Sequence, residues 1–407
     1  MLKNLKYIWI KTLFFGFLAI FSNAQAQNFP FIKKSENQLF FPDQNCMKHF
    51  FSALDALESK DKKRKVNIVH IGDSHIQADI FSGRVRELFQ QNNRFSSGGR
   101  GFVFPYEAAK TNNPHNYHSS YTGTWEGKRS IKADSFSRWG LAGITAVTYD
   151  EKSTITIDSK EKQEELKISK IKIFYPVFDP ASFTVSIATK SKNLLSIYSS
   201  KSGFVEYAFK EPQKSVTLTF NKMTKKQRQF VLQGMVLENE DQGILYHAVG
   251  TNGAKVQTYF RCEDFDRHLK VLNADLVIIS LGTNDAHSPI FNEESYKTDL
   301  RQMVADIRKV SPKSSILITT CGDSYRGNKH NAAPAKVREQ IFELAKEMKV
   351  AVWDFYNVMG GTKSIDKWLK SNLAQKDKVH LTPKGYTIQG DLLYEAIEKA
   401  YKNFKKD

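Results

Sequence analysis

The chain has 407 residues, 41% hydrophobic and 25% charged, with a formal net charge of +17. This is enough apolar content for an ordinary globular core, in two domains or one elaborated domain. The positive residues are scattered rather than striped, and no nucleic-acid motif accompanies them, so they read as a solvated lysine-rich surface and no nucleic-acid partner is expected.

The first 26 residues read as a signal peptide. Lys3 and Lys6 form a basic start, Tyr7 to Phe21 is apolar apart from Lys11 and Thr12, and Ala24-Gln25-Ala26 is an A-x-A cleavage signature. Lys11 argues against a retained anchor, and no later stretch is long enough to span a bilayer. The expected location is periplasmic or secreted, after cleavage near Ala26. Residues 27–64 form a leader with a short amphipathic stretch around Asp55, Ala56 and Leu57 and a basic run, Lys60-Asp61-Lys62-Lys63-Arg64-Lys65.

Val66 to Ile71 is a short β-branched run that reads as a buried strand. Gly72-Asp73-Ser74-His75 follows, and then Ile76, Ile80, Val85, Leu88 and Phe89 at helical spacing. Ser74 therefore stands on a tight strand-to-helix turn, which exposes a hydroxyl and aims backbone N–H groups at whatever reacts with it. Gln77 and Asp79 fall in the expected first helical turn, where an acid suits the helix dipole.

After the loop Ser96-Ser97-Gly98-Gly99-Arg100-Gly101 the pattern changes. Residues 102–242 hold short runs near 144–149, 153–157, 168–175, 183–188, 194–198, 204–209, 215–220 and 230–237, which read as the strands of a β-sandwich. Its aromatic residues Tyr117, Tyr121, Trp125, Phe136 and Trp139 are either sugar-stacking platforms or core. His115 and His118 have no acidic or cysteine partner at ligand spacing.

From Ile244 strands and helices alternate again, which implies a parallel sheet covered on both faces. The all-β block is thus an insertion in one α/β domain made of residues 65–101 and 243–407. Gly250-Thr251-Asn252-Gly253-Ala254 follows one strand, and Gly282-Thr283-Asn284-Asp285 follows another. Ligands of such sheets bind beyond the strands' carboxyl ends. Cys321-Gly322-Asp323-Ser324 repeats the first motif, but no helical pattern follows before Pro334, so Ser324 is the weaker nucleophile candidate. Near the C-terminus, Asp377-Lys378-Val379-His380 precedes a helix. A serine needs a base, and the base needs a group that fixes its tautomer; His380 and Asp377 supply both from one loop. Asp73 and Asp285 read as loop-tying acceptors. The cysteines Cys46, Cys262 and Cys321 have no metal-ligand spacing, and no metal or cofactor is expected.

These four blocks in this order resemble the SGNH (GDSL-like) hydrolase family. The resemblance implies a three-layer, flavodoxin-like α/β fold and acyl transfer by a triad of Ser74, His380 and Asp377. It also implies an oxyanion hole from the N–H groups of Ser74 and Gly253 and the Asn284 side chain, with Gly250 the competing glycine. The Gly-Asp-Ser-His form, the Gly250-Thr251-Asn252-Gly253-Ala254 loop and an inserted, carbohydrate-binding-like β-sandwich at residues 102–242 are similar to Gram-negative peptidoglycan O-acetylesterases. That implies an acetylated glycan substrate, with other carbohydrate or lipid esters and a non-catalytic glycan-binding protein as the alternatives. In this reading His75, Trp125 and Trp139 contact substrate. Because the triad and oxyanion donors all lie outside residues 102–242, the insertion is expected to be dispensable for small esters.

Overall fold

The computed structural model describes residues 29–60, 64–92, 94–159, 167–176, 179–188, 193–200 and 203–406; the signal-peptide reading lies outside them. A six-stranded sheet is the scaffold. Its strands lie in the order Leu39–Phe40, Ala351–Trp353, Ser315–Thr319, Leu276–Ser280, Lys65–Gly72 and Gly243–Gly250. Every pairing is parallel except that of the two-residue edge strand Leu39–Phe40. The central strands are nearly continuous runs of Val, Ile and Leu because both of their faces are covered.

The leader contributes more than a linker. Besides the edge strand it forms the helix Lys48–Glu58, which buries Phe50, Phe51, Leu54 and Leu57 at helical spacing. Beyond Ser74, the expected single helix is two, Ser74–Gln77 and Phe81–Gln90. The break is at Asp79, which adopts a left-handed backbone (φ 49°). Its buried carboxylate binds Arg86 at 3.0 Å and also Arg100, so it serves an internal ion cluster rather than a helix dipole.

The strands Lys65–Gly72 and Gly243–Gly250 are side-by-side partners, Gly72 opposite Gly250. Between them in the chain, three antiparallel sheets of five, four and three strands form. Seven of the eight expected runs appear as single strands close to the expected bounds. The run 230–237 is split by Gln233 into Phe230–Leu232 and Gly234–Glu238. The short strands Gly101–Val103, Tyr117–Thr122 and Glu126–Arg129 carried too weak an alternation to be read. Among the described residues no helix is long and apolar enough to cross a membrane. The three cysteines are free thiols.

Candidate active site

The nucleophile motif is a turn that only glycine allows. A Cβ on Gly72 would lie 2.3 Å from Ile76 Cγ1 and 2.9 Å from the Ser280 carbonyl oxygen. Asp73 caps the short helix, its Oδ1 accepting the His75 N–H at 3.0 Å, and Ser74 is the first helical residue.

The loop Asp377–His380 reaches Ser74 from the other end of the chain. Ser74 Oγ lies 2.9 Å from His380 Nε2, and His380 Nδ1 lies 2.7 Å from Asp377 Oδ2. Asp377 Oδ1 accepts the backbone N–H groups of Val379 and His380, both at 3.0 Å. Burial pushes the Asp377 carboxyl up, but the bonds from the His380 ring and the two N–H groups outweigh it and hold the group below its usual range. An ionised Asp377 fixes the proton on His380 Nδ1 and turns the Nε2 lone pair toward Ser74. The side chains of His380 and Asp377 are 36% and 45% exposed, so the site opens directly at the surface.

Among the described residues, the N–H groups of Ser74 and Gly253 meet no protein acceptor. Gly253 has φ 82° and is exposed, whereas Gly250 is the last residue of its strand and packs against backbone; a Cβ there would lie 2.4 Å from the Gln77 nitrogen. Geometry therefore favours Gly253 over Gly250 as a free donor. Asn284 Nδ2 donates to Asp73 Oδ2 at 3.1 Å and to the Ala254 carbonyl at 3.0 Å. Both of its hydrogens are engaged, so a substrate oxygen at this amide has to share or displace one of these acceptors. Burial raises the Asp73 carboxyl from 3.8 to about 7, with Asp285 adding to the effect; the bonds from His75 and Asn284 oppose it. Asp285, raised by burial to about 6, accepts the Val256 N–H at 3.4 Å.

The second Gly-Asp-Ser is structural. Ser324 is 1% exposed and its hydroxyl has no partner. Asp323 accepts the Ile365 N–H at 3.1 Å and lies 2.7 Å from His330. The hairpin that follows braces the base loop, Tyr325 N–H donating to the Lys378 carbonyl at 3.0 Å.

Residues 231–388 match the model of the GDSL-like lipase/acylhydrolase family, a stretch that contains Asn284, Asp377 and His380. This stretch resembles a GDSL-like acylhydrolase. By that family the chain is a carboxylic ester hydrolase, and its fold is of the SGNH type. Among solved structures it is similar to a peptidoglycan O-acetylesterase at 21% identity and a TM-score of 0.74, over 90% of this chain and 99% of that one. An acetylxylan esterase from Geobacillus stearothermophilus matches at 18% identity and a TM-score of 0.31, over 39% of this chain and 73% of the other. A lipase/acylhydrolase from Enterococcus faecalis matches at 16% and 0.32, over 39% and 77%. No curated protein matches the chain in sequence.

Within this GDSL-like frame two expected substrate contacts, Trp125 and Trp139, are corrected. Trp125 and Trp139 are 3% and 4% exposed. Trp125 packs edge-on against Phe220, and Trp139 lies under the Arg261 guanidinium, so neither offers a face to a sugar. His75 is partly buried and lies beside the base. Its ring stacks on His380 (centroids 5.1 Å apart, planes at 28°), and its Nδ1 lies 2.8 Å from the Tyr386 hydroxyl. Burial first, and the neighbouring His380 second, push His75 down to about 3, so it is neutral at any working pH.

The antiparallel region is not remote from the chemistry. Tyr106 OH donates to the Gly250 carbonyl at 2.8 Å, Asn252 Nδ2 to Asn112 Oδ1 at 2.7 Å, and Thr251 Oγ1 to the Ala142 carbonyl. Ile131 lies beside Gly253: a Cβ on that glycine would be 3.3 Å from Ile131 Cδ1. Residues 106–142 therefore brace the loop that carries Gly253. Tyr106, Ile131 and Tyr386 were missed because each acts through a neighbour distant in the chain. Only Tyr386 carried a local hint, lying one turn into the helix that follows His380.

Proposed function

We propose that the chain removes O-acetyl groups from a cell-wall glycan, with peptidoglycan the favoured substrate, through an acyl-serine intermediate. His380 Nε2 takes the Ser74 proton as Oγ attacks the acetyl carbonyl. The oxygen that becomes negative is received by the N–H groups of Ser74 and Gly253 and by the Asn284 amide. The C–O bond to the sugar then breaks, and His380 returns its proton to the departing sugar oxygen. Water, deprotonated by His380, attacks the acetyl carbon and releases acetate and free Ser74. Asp377 keeps the ring oriented and stabilises the imidazolium without taking its proton.

The observation that carries this reading is the Ser74–His380–Asp377 chain of 2.9 and 2.7 Å contacts lying open at the surface. An open triad admits an acetyl group borne on a bulky polymer. The glycan is favoured by the likeness in fold to a peptidoglycan O-acetylesterase, which extends over both the parallel sheet and the antiparallel region. A wall substrate also agrees with the N-terminal export signature and a periplasmic or secreted location.

The test is acetate release from O-acetylated peptidoglycan beside acetylated xylan and an octanoyl ester. The expected order is peptidoglycan first, with Ser74→Ala inactive on all three. Preference for xylan or the octanoyl ester would refute the peptidoglycan assignment, and full activity in Ser74→Ala would refute the mechanism.

A further inference from the structure

Asn284 and His380 stand on separate loops, and the reaction needs both around one acetyl carbonyl. The hairpin of strands Ser324–Arg326 and Lys329–Asn331 touches each loop, and one of its residues meets both. Tyr325 donates its N–H to the Lys378 carbonyl at 3.0 Å, and its own carbonyl faces His287 Nε2 at 3.1 Å. Lys378 sits between Asp377 and His380, and His287 ends the short helix Thr283–Ala286 that carries Asn284. A backbone path therefore runs from the oxyanion amide to the base through a single side chain, His287.

That ring has two acceptors. Its Nδ1 lies 2.7 Å from the Thr283 carbonyl, which also accepts the His287 backbone N–H at 3.1 Å. Both ring nitrogens thus face carbonyl oxygens, and a carbonyl only accepts. A neutral imidazole has one N–H and satisfies one of the two; an imidazolium has two and satisfies both. The Thr283 bond is the shorter and lies within one helical turn, so a neutral ring gives up the bond to Tyr325.

Among the described residues no carboxylate bonds this ring. Asp285 accepts the Val256 N–H at 3.4 Å, Asp323 is engaged by His330 at 2.7 Å, and Asp366 by Lys378 at 2.8 Å. The cations bonded to the His287 loop are Arg326, which donates to the Ala286 and Ser288 carbonyls, and Lys255, whose Nζ lies 2.7 Å from Ser288 Oγ. The neighbouring ring of His75 stays neutral. His287 is half-buried, so its protons exchange with solvent. Histidine is the side chain that changes charge near neutral pH.

We propose that His287 is a positioning residue: as an imidazolium it clasps the Asn284 helix to Tyr325 and so fixes the oxyanion amide relative to the base loop, and as a neutral ring it releases that clasp. The proposal rests on the mechanism above, in which Asn284 receives the oxyanion. The test is kcat and KM on a small acetyl ester for the unmodified chain, His287→Phe, Asn284→Ala and the double variant, from about pH 6 to pH 9. His287→Phe keeps a ring and removes both bonds. It should lower kcat about three- to tenfold at the acid end, the size of one hydrogen bond, with KM nearly unchanged. The ratio of the two kcat values should shrink toward the alkaline end, where the unmodified ring also lacks the clasp. His380 titrates in both proteins and cancels from the ratio. In the Asn284→Ala background His287→Phe should add little, because the group it positions is gone. Should the melting temperature of His287→Phe fall, His287→Gln carries the same test, since its one amide nitrogen stands in for the neutral ring. It should match the unmodified chain at the alkaline end and fall below it at the acid end. A ratio constant with pH, a change in KM alone, or full additivity with Asn284→Ala would overturn the proposal. Asn284→Ala without effect on kcat would refute the oxyanion reading and this proposal together, whereas a fall there beside an unchanged His287→Phe would refute the proposal alone.

Discussion

At the scale of single residues, the site is an arrangement of held side chains. Asn284 is fixed by Asp73, so the two act as a unit. Asn284→Ala should lower kcat by about 10²–10³ with little change in KM, because the amide matters when the oxygen carries charge. Asp73→Asn should lower kcat in the same direction, since its one amide oxygen can accept from only one of the His75 N–H and Asn284 while its NH2 faces the other donor. Steady-state kinetics on a small acetyl ester separates kcat from KM; a change confined to KM would put Asn284 in ground-state binding. Asp73 also carries a pH signature. Its carboxyl is raised from 3.8 to about 7 in the folded chain, mainly by burial. Between those values the folded state holds a proton that the unfolded state has lost, so this group's contribution to stability declines as pH rises from about 4 to 7 and is level above. Thermal melts should show the unmodified chain losing ground to Asp73→Asn between pH 5 and pH 8; a constant difference would mean Asp73 is not buried as described. His75 calls for a different control. Its ring supports His380, so His75→Ala should lower kcat by roughly two- to tenfold, the size of one aromatic pair. His75→Phe should restore most of it, and equal losses in both would locate the effect in the Tyr386 hydrogen bond instead.

At the scale of elements, what was legible in the sequence was whatever a few consecutive residues decide. Gly72-Asp73-Ser74-His75 could be placed because a β-branched run and a helical stripe abut it, and the structure gives the glycine a steric reason. Asp377 and His380 could be paired because a separation of three positions fits in one loop, here closed by backbone N–H groups on Asp377. The break at Asp79 was hidden because one left-handed residue interrupts a helix without disturbing the apolar spacing around it. Whether Trp139 faces core or solvent was hidden too, since Arg261, which covers it, lies more than a hundred residues away. The repeated Gly-Asp-Ser shows the same limit, because two similar strings end strands and only their surroundings separate them. Ser324→Ala should leave ester turnover intact and stability equal or slightly higher, as its oxygen is buried without a partner. Asp323→Ala, in contrast, strands the Ile365 N–H and should cost about 1–3 kcal/mol in denaturant unfolding. If Ser324→Ala instead abolished turnover, the nucleophile assignment would be wrong.

At the scale of the whole molecule, the question is whether the antiparallel region can be separated from the hydrolase. Chain order suggests that it can, since the triad, Gly253 and Asn284 all lie outside residues 102–242. Contacts argue the reverse. The loop between Gly250 and Ala254 has Tyr106 on the Gly250 carbonyl, Ala142 on the Thr251 hydroxyl, Asn112 on Asn252 and Ile131 beside Gly253. Gly253 stands at φ 82°, a backbone state that an unsupported loop holds only part of the time. An oxyanion donor works by being in place before charge develops, so loosening it costs rate even when the triad is whole. Replacing residues 102–242 with a short Gly/Ser linker should therefore lower kcat on a small acetyl ester substantially, as well as acetate release from peptidoglycan. Tyr106→Phe, which removes one brace and leaves the fold, should give a smaller fall in kcat with KM nearly unchanged. The measurement is p-nitrophenyl acetate turnover, with circular dichroism and the melting temperature as checks on folding. A well-folded linker variant with undiminished small-ester kcat would show that the loop carrying Gly253 is competent by itself, and that the antiparallel region serves the polymer alone.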